Sequence, residues 1–320
     1  MRGREAKRAA VLLLAFNRPD TTQRVFEAIR RSQPPRLYVA VDGPRADEPT
    51  EAEKCARVRD VPSRVDWPCE LRTLFRQSNL GCKDAVSSAI NWFFEHEEQG
   101  IILEDDCLPN QSFFRYCEEL LDRYREDHRV MVISGDHFHG ASHRPANSYF
   151  FSRYNHCWGW ASWRRAWRHY DMEMKHWPEL RETDWLLSLG DGKERFRRYW
   201  TRIFDMVYAG QINSWAYAWT FSCWIQSGLS ILPAKNLIRN IGFDANATHT
   251  TSSDDLAANL PLEHMPFPLT HPDYMVRDIA ADRWSDRHLF RITLASELKR
   301  AALQIPGVNL LRRLTRFRKF

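Results

Sequence analysis

The chain has 320 residues, 43% hydrophobic and 27% charged, enough to bury one large core or two moderate ones without a partner. Its formal charge of +5 is too mild to imply nucleic acid, and no nucleic-acid module accompanies it. No apolar run approaches the roughly 18 residues that cross a bilayer, Val11 to Phe16 is too short for a signal-peptide core, and seven widely spaced cysteines without a C-x-x-C pair argue against a disulfide framework or zinc ribbon, so a reducing, cytoplasmic setting is expected.

Residues 1–8 are polar and basic and are expected to be disordered. Ala9 to Ala15 then reads as a buried parallel strand, broken by Asn17-Arg18-Pro19-Asp20. Val25, Phe26 and Ile29 recur at helical spacing within Thr21 to Arg31, and Pro34-Pro35 punctuates before a second strand, Leu37 to Val41. Asp42-Gly43-Pro44 ends that strand; a charged segment of loop and helix runs to Asp60, and Glu70 to Phe75 is the third strand. A helix over Asp84 to Glu98 leads into the apolar run Ile101-Ile102-Leu103, followed by Glu104-Asp105-Asp106. Another helix, Gln111 to Glu126, precedes the strand Val130 to Ser134. This alternation predicts a doubly wound, mostly parallel α/β sheet flanked by helices.

Beyond Gly135 the alternation fades and aromatic, basic sequence takes over in Tyr149 to His169 and Trp215 to Trp224. With no linker in view, the second half reads as additions folded onto the same sheet. Thirteen tryptophans lean toward a carbohydrate ligand, although most belong in a core. In residues 291–320 eight Lys and Arg face one Glu, an amphipathic basic tail divided by Pro306 that suits either an anionic lipid surface or packing on the body.

Three carboxylates at the carboxyl end of a buried strand point to a site, since ligands of open α/β sheets bind there and hard oxygens suit Mg²⁺ or Mn²⁺ beside a diphosphate. The plain alternative is an acidic turn that starts a helix, with Asn110 as its cap.

Several segments, in order, resemble the GT-A glycosyltransferases, and among them bacterial family-2-like enzymes related to the Golgi N-acetylglucosaminyltransferase that initiates complex N-glycans. They are Val11 to Pro19, Val41-Asp42-Gly43, Gln77 to Lys83, Glu104-Asp105-Asp106, Tyr149 to Trp160, and Asn240 to Thr250. The resemblance implies a Rossmann-like GT-A domain over 9–290, with a nucleotide-sugar half (9–135) and an aromatic acceptor half (136–290). It also implies metal-dependent, inverting transfer of a hexose or N-acetylhexosamine, from a UDP-linked donor, to a cell-surface glycan or a lipid-linked glycan.

By that resemblance Phe16, Asn17, Arg18, Asp42, Asn79 and Lys83 meet the nucleotide and its diphosphate, Glu104 and Asp105 meet ribose or donor sugar, and Asp106 binds Mn²⁺ or Mg²⁺ with His249 nearby. Trp158, Gly159, Trp160 and Trp215 would face the acceptor. Each has a plain reading too: Asp42-Gly43-Pro44 is turn chemistry, Arg18 and Lys83 suit any surface, and Trp160 suits a core. One departure stands out. Relatives carry an acid, the natural base, where Asn213 to Trp219 has Ala216. Either Asp136 or Asp184 serves instead, the register is displaced, or the chain is a catalytically impaired glycan-binding protein. A separate rival is a metallohydrolase built on His137 and His139, since His-x-His at a strand end also begins some metal sites.

Overall fold

The computed structural model describes residues 8–242 and 260–296. His249, residues 1–7 and the tail beyond 296 lie outside the described residues. In chain order the elements are β1 (Ala10–Ala15), α1 (Pro19–Ser32), β2 (Arg36–Val41), α2 (Glu51–Asp60), β3 (Glu70–Phe75), α3 (Gly81–His96), β4 (Gln99–Glu104), β5 (Cys107–Pro109), α4 (Gln111–Arg123) and β6 (Val130–Ser134). There follow β7 (Tyr149–Ser152), β8 (Trp160–Trp163), α5 (Arg164–Trp167), α6 (Trp177–Arg181), α7 (Trp185–Leu189), α8 (Glu194–Tyr208), α9 (Trp215–Ile225), β9 (Leu229–Pro233), β10 (Ile238–Asn240) and α10 (Ile279–His288).

One sheet of eight strands, in the order β3-β2-β1-β4-β8-β6-β9-β7, organises the fold. β3, β2, β1 and β4 run parallel, with Leu14 beside Glu104 where β1 and β4 end. β8 enters antiparallel between β4 and β6, and β7 lies antiparallel to β9, so the Rossmann-like sheet is mostly but not wholly parallel. Strands of the second half thus join the same sheet. From β1 the chain winds outward to β2 and β3, whereas β4 opens onto the opposite side; the carboxyl ends of β1 and β4 therefore flank a topological switch point, where such sheets form a crevice.

The central strands are apolar on both sides because both faces are covered. Val11, Leu13, Ile101 and Leu103 pack with residues of α1 and α4, and Leu12, Leu14 and Ile102 with residues of α3, α8 and α9. The second face takes up most of the tryptophan excess: Trp160, Trp167, Trp200, Trp215, Trp219 and Trp224 are buried there. Among the described residues no helix is long and apolar enough to cross a membrane.

Helix starts differ from expectation for a local and a distant reason. α1 begins at Pro19, whose fixed φ and missing N–H suit the first turn. α3 begins at Gly81 rather than Asp84, because the Asp42 carboxylate accepts the N–H groups of Leu80 (3.0 Å) and Gly81 (3.2 Å) from 38 and 39 residues away. A negative charge at a helix N-terminus is favourable in itself.

Candidate functional site

A cavity of about 730 Å³ opens at the switch point. The loop after β1 lines it with Phe16, Asn17 and Arg18, the end of β4 with Glu104, Asp105 and Asp106, and the start of α3 with Gly81 and Cys82. Trp158, Trp215, Asn240 and Gly242 contribute from the second half.

Arg18 forks across the acids. Its Nη1 donates to Asp106 Oδ2 at 2.9 Å and its Nη2 donates to Asp105 Oδ1. The other oxygen of Asp105 accepts the Phe16 N–H at 3.2 Å, so this residue fastens the β1 loop to the end of β4. Three carboxylates against one guanidinium leave excess negative charge, and the acids respond. Burial, then Asp106 and Asp105, push the Glu104 carboxyl well above the ordinary range; burial also raises Asp105, opposed by Arg18. Among the described residues the Glu104 carboxylate has no hydrogen-bond partner.

Asp42 also lines the cavity, but its carboxylate is already engaged. Oδ1 accepts the N–H groups of Gly43 (2.8 Å) and Leu80 (3.0 Å), while Oδ2 accepts the Asn79 amide (2.9 Å) and the Gly81 N–H (3.2 Å). A carboxylate offers about four lone-pair directions, so little acceptor capacity remains for an imide N–H. Gly43 seals this turn: its Cα lies so close to the backbone of Ser78 that a Cβ would overlap it.

Ten of the expected residues meet in the cavity: Phe16, Asn17, Arg18, Asp42, Asn79, Glu104, Asp105, Asp106, Trp158 and Trp215. Five do not line it. Lys83 lies in the first turn of α3, where its backbone N–H donates to Asn213 Oδ1. Trp160 is core, stacked on Trp215 with centroids 5.6 Å apart. Gly159 has φ +66°, and a Cβ there would lie 2.8 Å from Ile238 Cγ1, so its role is close packing against Ile238 and Leu103. Asp184 is exposed at the N-terminus of α7.

Asp136 is fully buried; its Oδ2 accepts the Trp158 N–H at 3.0 Å, its Oδ1 has no partner among the described residues, and burial pushes its carboxyl well above the usual range. Asp136 thus supports the backbone of Trp158 and does not line the cavity. Sequence reasoning missed Arg45, Arg76, Cys157, Asn213 and Ser214, all of which line the cavity. Arg45 follows Asp42-Gly43-Pro44 directly, a signal that was available; the others arrive from distant segments.

Among the described residues the histidines do not gather the metal-ligand set that the rival reading expects. His137, His139 and His143 gather around the Phe150 ring, at centroid distances of 6.2, 5.7 and 4.7 Å. Among the described residues no three His, Cys, Asp or Glu side chains are disposed to hold a metal ion. Burial, then the neighbouring His137, lowers His139 to about 4. The unfolded chain, with an ordinary imidazole, takes up a proton below about pH 6.5 that the folded chain refuses until about pH 4, so this group's contribution to stability is lost as pH falls between them. His139→Gln removes that proton uptake and can still donate to the Ala281 carbonyl. We therefore expect urea unfolding to show the variant gaining on the wild type by on the order of 2–3 kcal/mol between pH 7.5 and 4.5. A gap independent of pH contradicts this account.

No family model matches the sequence, and no curated protein matches it. Among solved structures, the chain is similar to HddC from Yersinia pseudotuberculosis, with 11% identity and a TM-score of 0.27 over 39% of this chain and 56% of that one. It is also similar to a UDP-glucose pyrophosphorylase solved with UDP-glucose, with 10% identity and a TM-score of 0.27 over 46% of this chain and 63% of that one. The chain spans less than two thirds of either neighbour, and at that level of superposition the likeness carries nothing about what it binds.

Proposed function

We propose that the chain is a GT-A-type glycosyltransferase, moving a hexose or N-acetylhexosamine from a UDP-linked donor, with inversion, to a hydroxyl of a cell-surface or lipid-linked glycan. The observation that supports this most is the convergence of Arg18 with Glu104, Asp105 and Asp106 at the switch point, in a cavity of about 730 Å³, a size that suits a nucleotide sugar.

In this reading Phe16, Asn17 and Asn79 hold the nucleoside, Arg18 faces the diphosphate, and the ring of Trp158 offers apolar surface to a sugar. The acids form no preformed cage, but hard oxygens of this kind fit a divalent ion held through Asp106 and completed by phosphate and water. Such an ion, when bound, would neutralise charge on the leaving diphosphate. The acceptor hydroxyl must lose a proton as the new bond forms. Asp136 and Asp184 do not line the cavity, so Glu104, the cavity carboxylate with unengaged oxygens, is assigned that proton.

Calorimetry with a panel of UDP- and GDP-sugars, with and without Mn²⁺, tests the reading; no binding to any of them ends it. For the donor that binds, Glu104→Gln is expected to abolish turnover while donor affinity stays within a few-fold. A second reading rests on Ala216, which lines the cavity together with Asn213, Ser214 and Trp215, a segment that brings no carboxylate to it. A binding-only protein would hold the donor yet give no turnover, even as Ala216→Asp.

A further inference from the structure

Within that reading, one feature of the acid cluster concerns when a cation can enter it. The Arg18 guanidinium occupies Asp106 Oδ2 at 2.9 Å and also holds Asp105, while the remaining Asp106 oxygen lies 3.4 Å from Cys107 Sγ. Gly242 closes the pair from one side: a Cβ there would lie 2.6 Å from Arg18 Nη1 and overlap Asp106. Arg18 is about a quarter exposed and faces the cavity, so that is its open direction.

We propose that Arg18 is an internal competitor for the metal position, which makes cation affinity conditional on a diphosphate. A guanidinium and a divalent ion need the same Asp106 oxygen and repel each other. A diphosphate offers Arg18 another acceptor with matching fork geometry. When the guanidinium moves to it, Asp106 becomes available to the cation; by linkage the cation favours the diphosphate to the same degree. Asp105, held also by the Phe16 N–H, stays with the β1 loop and keeps the loop in register while Arg18 changes partner.

The test is Mn²⁺ binding by electron paramagnetic resonance, alone and with UDP or GDP, on the wild type, Arg18→Met and Arg18→Lys. Methionine keeps an apolar stem without charge, and we expect it to tighten Mn²⁺ alone by at least about tenfold while weakening the nucleoside diphosphate measured without metal. Lysine, a point charge that cannot fork, should fall between. Structural damage would not tighten metal binding, so this gain is diagnostic. Unchanged or weaker Mn²⁺ binding in both variants, with the wild type still binding Mn²⁺ and nucleotide together, overturns the proposal and leaves the transferase reading standing. A wild type that binds neither ligand in any combination removes both.

Discussion

Replacing Asp106 with alanine is expected to cost on the order of 10²- to 10³-fold in turnover, with thermal stability unchanged or slightly raised. The two halves of this result come from one electrostatic balance. Asp106 and its two acidic neighbours share a single guanidinium, and Asp106 is the second-largest cause, after burial, of the raised Glu104 carboxyl. Removing it relieves that repulsion, while Arg18 keeps Asp105 as its partner. A functional site commonly carries such local frustration. Single-turnover rates with the donor that binds in calorimetry, together with melting curves, check both halves. Full turnover in the variant would remove Asp106 from the chemistry, and a melting point lowered by more than about 5 °C would show that it serves the fold.

The sequence made the scaffold readable where the physics is local. Val11 to Leu14 and Ile101 to Leu103 are continuous apolar runs because helices cover both faces of their strands, and the loops after them hold Phe16-Asn17-Arg18 and Glu104-Asp105-Asp106 for the same topological reason. β8 was not legible, because Trp160-Ala161-Ser162-Trp163 has the composition of a binding surface, and only its antiparallel insertion between β4 and β6 sends Trp160 into the core. For Asp136 and Asp42 the deciding partner lies far along the chain. Whether Asp136 faces a cavity or a backbone N–H depends on Trp158, 22 positions later, and whether Asp42 is free depends on a loop 37 to 39 positions away. Lys83 fails through orientation: its place on the first turn of α3 takes it off the cavity lining that Gly81 and Cys82 share.

Asp42→Ala is expected to destabilise the fold by about 3–5 kcal/mol, an effect that separates the two roles open to this residue. As a reader of the nucleobase it would act through an empty acceptor, and its loss would weaken donor binding without lowering the unfolding midpoint. The structure instead gives its carboxylate to three backbone N–H groups and the Asn79 amide, in a position only 8% exposed. Truncation leaves those donors facing an apolar methyl, and buried donors without partners cost about 1–3 kcal/mol each, less where cavity water reaches them. The start of α3 also loses the negative charge that favours it. Asp42→Asn should recover only part of the loss, because one carboxamide oxygen can accept from two donors while its NH₂ confronts the rest. Urea unfolding of both variants, read beside donor titrations, decides the matter. A midpoint unchanged in Asp42→Ala, with weakened donor affinity, would return Asp42 to the nucleotide; a lowered midpoint in both, alanine the lower, establishes it as the distant cap of α3.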